Sequence, residues 1–274
     1  MIKTENLTLI KKNGLEYIQF PKLNNTGIVR HLFSTRNGGV STGECSSMNL
    51  SFHRNDTRNN VLKNYEIICG AEGIDTSHLV LSHQTHTNNV KVVTKKHCGT
   101  GITLPEFSDV DGLITNETGV ALVTQYADCT PLLFCDPVKK VIATSHSGWR
   151  GTVKQIGKVT VQKMVNEFGC KASDIIAAIG PFIGKCCYEV DDTVYNEFLK
   201  LDFINPNDIF DYKPNGKYML DLGLANKLIL MNAGIKETNI DLSDVCTCCY
   251  SEDLFSHRAT GGKRGNLAAI IELK

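Results

Sequence analysis

Nowhere in this chain do apolar residues run for ~18 consecutive positions, so no membrane-spanning helix is expected. Neither sign of charge is in excess: 29 Lys and Arg balance 29 Asp and Glu. Broad nucleic-acid or anionic-membrane binding needs a basic face, so neither partner is expected and only a local basic pocket remains open. Low-complexity tracts, internal repeats and Pro/Ser-rich linkers are missing, and the 7 prolines are scattered. Single cores reach ~250–300 residues before they split, so one domain over 1–274 is the expectation. The first dozen residues, MIKTENLTLIKK, lack the apolar centre of a secretory signal, which points to a cytoplasmic protein with reduced thiols.

What the chain has in quantity is cysteine: 11 residues, an odd number in a chain too long for a disulfide-stapled mini-protein. With 42% hydrophobic and 21% charged residues it is also too apolar for a disordered chain.

β-Branched runs at 28–33, 79–81, 90–94, 112–114, 120–124, 132–134, 141–145, 175–179, 243–247 and 267–272 predict strands. Several are apolar on successive residues, as in strands covered on both faces. Helical periods predict a helix capped by Asp56 and stopped at Gly70, one from 153 to 168 ended by Gly169, and two more over 191–201 and 222–232. The fold class is therefore α/β (α+β), a layered domain of mixed strands and helices whose strand order cannot be read from the pattern.

Chemistry concentrates in Tyr126-Ala-Asp-Cys-Thr-Pro131 and His146-Ser-Gly-Trp-Arg-Gly151. Cys129 is expected after one strand in a proline turn, and His146 after the next strand at a helix start. Earlier, Leu79-Val-Leu-Ser-His-Gln-Thr-His86 places another histidine after a strand. Catalytic groups gather at such strand ends. His86, Cys129 and His146 together form a His₂Cys set, the ligand chemistry of a catalytic zinc that keeps a fourth position open. A metal there would hold Cys129 as thiolate and acidify a bound water toward neutral pH. The three lie 43 and 17 residues apart, too far for a finger or ribbon, so tertiary structure must assemble them. His83 competes with His86: three residues apart, the two face opposite sides of an extended strand, and spacing alone does not choose. Cys129 could instead be a nucleophile with His146 as base, or an inert buried thiol.

Arg150, at a helix start beside the sole Trp149, suits an anion such as phosphate. Arg36 sits in a turn and is as readily a solvated arginine. Asn49 and Gln84 are polar candidates to orient a substrate, and Asp128 a candidate to orient a histidine. Gly261-Gly-Lys-Arg-Gly265 lacks the P-loop spacing and reads as a turn. Cys186-Cys187 and Cys246-Thr-Cys248-Cys249 suggest a second metal site, but adjacent cysteines diverge, so all five should not converge; buried or semi-buried thiols, one or two lining the pocket, are the expectation, with a redox disulfide as the minor alternative.

The wording FSTRNGG (33–39), MNLS (48–51), QTH (84–86), DVDGLIT (109–115), ADCTP (127–131), HSGWRG (146–151), IGPFIGKCCYEV (179–190), CTCC (246–249) and FSHR (255–258) resembles the YfiH family of laccase-domain, polyphenol-oxidase-like proteins. The resemblance implies a single-domain α/β/β/α sandwich with mixed sheets. It also implies His86, Cys129 and His146 as metal ligands, which settles His86 over His83. Thr87 and Ser147 depart from the family's usual Gly and Ala. The implied activity is a zinc-dependent purine nucleoside phosphorylase acting on adenosine, inosine and methylthioadenosine, with adenosine deaminase activity and with purine nucleoside and phosphate as partners. Two alternatives stand. Copper-dependent polyphenol oxidation is weakened by the absence of H-x-H pairs among the eight histidines, although Cu²⁺ outcompetes Zn²⁺ in affinity in vitro. A metal-free Cys–His hydrolase is the other.

Overall fold

The computed structural model describes residues 1–12 and 14–274. Strand Thr130–Asp136 carries its logic: every residue is buried, and neighbours alternate between two cores. Leu132 and Phe134 face a core shared with helices Ile156–Phe168 and Leu222–Asn232, whereas Leu133 and Cys135 face a core between two sheets. A third core lies on the far side, where Leu32, Ala268 and Ile270 meet Val61, Tyr65 and Ile68 of helix Arg58–Glu72. The period-two alternation of a strand serves two cores at once only when both faces are covered. Helix, sheet, sheet and helix therefore stack as layers, as the resemblance implied.

Among the described residues each of the two stacked sheets has six strands, and a three-stranded and a two-stranded sheet accompany them. In chain-range terms the first runs 8–12, 15–19, 29–34, 267–273, 121–126 and 79–80, and the second 240–242, 176–179, 130–136, 141–147, 112–115 and 90–92. Both are mixed: Leu79–Val80 pairs parallel with Ala121–Tyr126, and Ile240–Leu242 parallel with Ile176–Ile179, within otherwise mainly antiparallel ladders. Thr124 Oγ1 and Thr144 Oγ1, 2.6 Å apart, bridge the two sheets, and the Tyr126 hydroxyl donates to the Ser145 carbonyl at 3.0 Å and lies 2.7 Å from Thr124 Oγ1. These buried polar contacts lie beside His146, whose ring centroid is 5.6 Å from that of Tyr126.

Several expectations move. The first long helix is capped by Thr57, whose side chain accepts from the Asn60 amide, and closed by Gly73 at φ 67°, not by Asp56 and Gly70. The helix expected over 153–168 is two helices, Trp149–Val153 and Ile156–Phe168, because Gln155 turns left-handed at φ 56°. The strand expected at 243–247 is instead Ile240–Leu242, after which the chain bridges once at Cys246 and turns. Pro131 is not in a turn: it is the second residue of strand Thr130–Asp136, opposite His146, near the strand end where a missing N–H is tolerated.

His31 predicts a pH dependence of the fold. Its side chain is 1% exposed, stacks on Phe20, and its Nε2 accepts from the Phe20 amide. Burial, with a smaller contribution from Lys274, holds it down from 6.5 to about 4. Above pH 6.5 both folded and unfolded chains carry a neutral imidazole and the full stability is present. Between 6.5 and 4 only the unfolded chain takes up the proton, so stability is lost as pH falls through this window. The expected loss at pH 5 is ~2 kcal/mol. Urea unfolding of wild type and His31→Gln at pH 7 and pH 5 checks it; equal pH slopes in the two proteins would refute the assignment.

Candidate metal centre and its pocket

His86, Cys129 and His146 converge: one ligand atom from each lies within 4.8 Å of the others. His146 comes from inside strand Val141–Ser147 and is 5% exposed. Cys129 precedes strand Thr130–Asp136 and, by the register Thr130 to Ser147, lies across from Gly148. His86 arrives on the loop after strand Ser82–His83. Two residues beside this centre sit in the left-handed region without being glycine, His86 at φ 63° and Asp128 at φ 87°. Such conformations cost about 1–3 kcal/mol and persist where surroundings dictate them. Gly148 is there for space: a Cβ would stand 2.6 Å from His86 Nδ1 and 3.0 Å from Cys129 Sγ.

Asp111 organises the group. It is fully buried, accepts from the amides of Thr85, His86 and Thr87 at 3.2, 3.1 and 2.8 Å and from Thr87 Oγ1 at 2.7 Å, and lies 2.8 Å from His146 Nδ1. With Nδ1–H donating to this carboxylate, His146 presents Nε2 to the centre. Burial raises the Asp111 carboxyl, but the His146 and Thr87 contacts outweigh it and hold it at about 2. Burial likewise opposes charge on His146, yet the Cys129 sulfur and Asp111 raise it to about 9. His86 is pushed to about 4 by burial and by the charge of His146. A neutral His86 is the form that ligates, and its buried Nδ1 has no hydrogen-bond partner. That orphaned nitrogen, the nearby sulfur and the oriented His146 fit a zinc-type donor set.

The centre opens into a cavity lined by Arg54, Arg264, His53, His83, Gln84 and Gln125, among others. His83 thus shares the cavity with His86, contrary to the opposite-face expectation, because the chain leaves the extended conformation between them. Gln84 lines the cavity but commits its amide to the Gln125 backbone, donating to the carbonyl and accepting from the amide. Asn49 is fully buried and spends both ends internally, on Ser51, Asp56 and Asn266. The Arg36 guanidinium donates to the Ser46 and Ser251 carbonyls and lies over Phe255, outside the cavity lining. Arg150 is exposed, 4.2 Å above its neighbour Trp149, in a separate depression with Lys154, Thr193 and Glu197. The helix that carries it, Trp149–Val153, has only five residues. Asp128 ties down its own turn, accepting from Thr247 Oγ1 and the Arg258 amide, and leaves the orienting of a histidine to Asp111.

Sequence reasoning passed over Asp111, Arg54 and Arg264. The signal for the first was an aspartate opening a wholly buried strand, Gly112–Thr115. Arg264 is 8% exposed, donates to Gly265 and Asn266, and keeps Nε without a partner; burial lowers it to about 10. Arg54 donates to the same Asn266 side chain.

A family model described as multi-copper polyphenol oxidoreductase laccase matches residues 30–274. The chain belongs to this laccase-like family. It is 38% identical over 244 residues to purine nucleoside phosphorylase YlmD of Bacillus subtilis (strain 168), covering 88% of this chain and 87% of that one. It is 35% identical over 237 residues to adenosine deaminase RL5 from an unknown prokaryotic organism, covering 85% and 90%. The crystal structure of YfiH from Bacillus licheniformis superposes with TM-score 0.92 at 31% identity, over 97% of this chain and 99% of that one. YlmD from Geobacillus stearothermophilus superposes with TM-score 0.90 at 31% identity, over 97% and 98%. The layered fold with mixed sheets is thus the family's fold, and the expected family membership holds. No helix is long and apolar enough to cross a membrane among the described residues.

Proposed function

We propose that this chain is a zinc-dependent purine nucleoside phosphorylase that takes adenosine, inosine and methylthioadenosine and also deaminates adenosine. The observation that carries the reading is the convergence of His86, Cys129 and His146 at the floor of a cavity whose wall holds Arg54 and Arg264. Relatives carrying the names phosphorylase and deaminase support both reaction types. Zinc, held by the three ligands, would supply Lewis-acid polarisation and acidify a water.

The protein's own residues do the rest. Asp111 fixes the His146 tautomer and the three backbone amides of the His86 loop. Arg264, buried and with an unpartnered N–H, and Arg54 offer charge to an incoming phosphate, where charge-assisted contacts are strongest. Holding phosphate and nucleoside in one cavity removes the entropic cost of their encounter. With phosphate present, adenosine should give adenine and ribose 1-phosphate; without it, the remaining activity should give inosine and ammonia. Chromatography of adenosine reactions with and without phosphate tests this. Zinc-loaded protein at high concentration that makes none of adenine, inosine or hypoxanthine would sink the purine reading.

The arginines give a sharper expectation. Arg264→Gln should lower phosphate kcat/KM by about 10- to 150-fold, the ~1.5–3 kcal/mol of a hydrogen bond to a charged group. Phosphate-independent deamination should change little. Arg150→Ala, run beside it, compares the residue favoured by sequence position with the one lining the cavity. An Arg264→Gln enzyme with unaltered phosphate kinetics, and a loss in Arg150→Ala, would move the anion site to the surface depression.

A second reading has its own support. Cys129, His146 and Asp111 also form a nucleophile, base and orienting carboxylate in series, as in a metal-free Cys–His hydrolase. Activity that survives rigorous chelation would favour it.

A further inference from the structure

Cysteine supplies a second cluster that the purine chemistry does not use. Cys186, Cys187, Cys246 and Cys249 bring their four sulfurs within 4.8 Å of one another. Cys249 Sγ lies 3.4 Å from Cys186 Sγ and 3.4 Å from Cys187 Sγ. Cys248 is outside the group. The expectation that adjacent cysteines diverge applies to extended chain. Residues Lys185–Cys187 form a turn, and the turn directs both side chains to Cys249.

We infer that Cys186, Cys187, Cys246 and Cys249 form a structural zinc site of four thiolates. Zinc–sulfur bonds of about 2.3 Å at tetrahedral angles place sulfurs about 3.8 Å apart, inside the span this cluster holds. Cys246 and Cys249 stand at the C-x-x-C spacing of one half of such a site. Two backbone amides point at the Cys246 sulfur, Gly184 at 3.2 Å and Cys249 at 3.5 Å, and N–H donors of this kind stabilise a ligating thiolate. Glycine at 184 makes that approach feasible: a Cβ would sit 3.1 Å from Cys246 Cβ and 3.3 Å from Cys186 Sγ.

Disulfides explain the arrangement less well. Cys249 is equidistant from Cys186 and Cys187, and a single disulfide to either leaves two further sulfurs within 4.8 Å unexplained. Four sulfurs sharing one centre is the arrangement a single ion demands. Iron–sulfur clusters bind each thiolate to a separate or shared iron of a larger cage, whereas a lone tetrahedral zinc needs only this span.

The consequence reaches the first site. The proposed ion would clamp the turn after strand Ile176–Ile179 to the turn after Ile240–Leu242. From these turns the Ile183 amide donates to the Asp128 carbonyl at 2.9 Å and Thr247 Oγ1 donates to the Asp128 carboxylate at 2.6 Å. Arg258, whose guanidinium donates to the Cys187 carbonyl, adds its amide to the same carboxylate. Asp128 holds the left-handed turn that delivers Cys129. The four-cysteine site is therefore a staple behind the turn that positions Cys129, and it stands whether or not the first centre takes zinc.

The test is zinc stoichiometry on full-length protein prepared anaerobically with reductant and zinc, then freed of loose metal. Wild type should hold about two zinc per chain. Cys249→Ser should lose one equivalent and Cys129→Ser the other. In wild type, exposed Cys186 and Cys249 should resist alkylation with zinc and react once a strong chelator has removed it, a comparison that needs no variant to fold. Zinc X-ray absorption on the Cys129→Ser protein should report sulfur ligands only. One zinc per chain that Cys249→Ser leaves in place would overturn the proposal. So would iron in its stead, an intact mass lighter by disulfide hydrogens, or alkylation indifferent to zinc. A chain with a single zinc removed by Cys129→Ser would refute the second site alone and leave the purine reading standing.

Discussion

Cys129→Ser is expected to lose the metal of the first centre and to lower nucleoside turnover by about 10³-fold or more, ~4 kcal/mol of transition-state stabilisation. The thiolate is the softest of the three donors, and no other sulfur lies in this group to replace it. Fold should survive. Cys129 is half-buried at the edge of a core whose bulk is Phe33, Leu122, Tyr126 and Leu133, and serine keeps its approximate size. Metal content and thermal unfolding should therefore separate: zinc lost, cooperative unfolding retained. Deamination and phosphorolysis should fall together if one centre serves both. Full zinc retention at this centre in a folded Cys129→Ser protein would reject the His86–Cys129–His146 assignment. Deamination lost with phosphorolysis intact would show that the thiolate serves only the hydrolytic route.

The second large effect is expected from Asp111→Ala, at about 3–5 kcal/mol of stability, because it breaks a buried charged network and leaves partners uncompensated. Three amides of the 85–87 loop and the His146 Nδ1–H lose their acceptor at once, in a place that water reaches poorly. His86, held at φ 63° by that loop, should lose its fixed position. Asp111→Asn is the gentler variant. It keeps the shape, yet turns an acceptor-only carboxylate into an amide whose NH₂ must face a donor. Zinc affinity should fall about 10- to 100-fold, as for other partners of metal-ligating histidines. Urea unfolding measures the first effect and competition with a chelator the second. An Asp111→Ala protein within ~1 kcal/mol of wild type would mean that the loop holds itself. An Asp111→Asn protein with unaltered zinc affinity would mean that His146 needs no carboxylate to be oriented.

Much of the architecture and of the His86, Cys129 and His146 group was legible in the chain. Strands that are apolar on successive residues, such as 132–134 and 141–145, announce burial on both faces, because alternation serves two cores only in a covered sheet. Cysteine and histidine beside strand ends, in segments with a family's wording, named His86, Cys129 and His146. Boundaries shifted where one residue's backbone decided. Gln155 in the left-handed region splits a helix whose apolar period runs unbroken, since the period reports which face is buried and not whether the helix continues.

Only tertiary structure decided which polar groups meet. The candidate ligands, 43 and 17 residues apart, are joined by sheet pairing and by turns at His86 and Asp128, and the direction in which those turns aim a side chain is set by long-range contacts with Asp111, Thr247 and Arg258. The same reason placed Arg264 in the cavity and Arg150 outside it. It also drew Cys186 and Cys187 to one point with Cys246 and Cys249, 60 residues along the chain. Sequence spacing encodes direction only within one regular element. Across a turn, the packing of the whole domain fixes it.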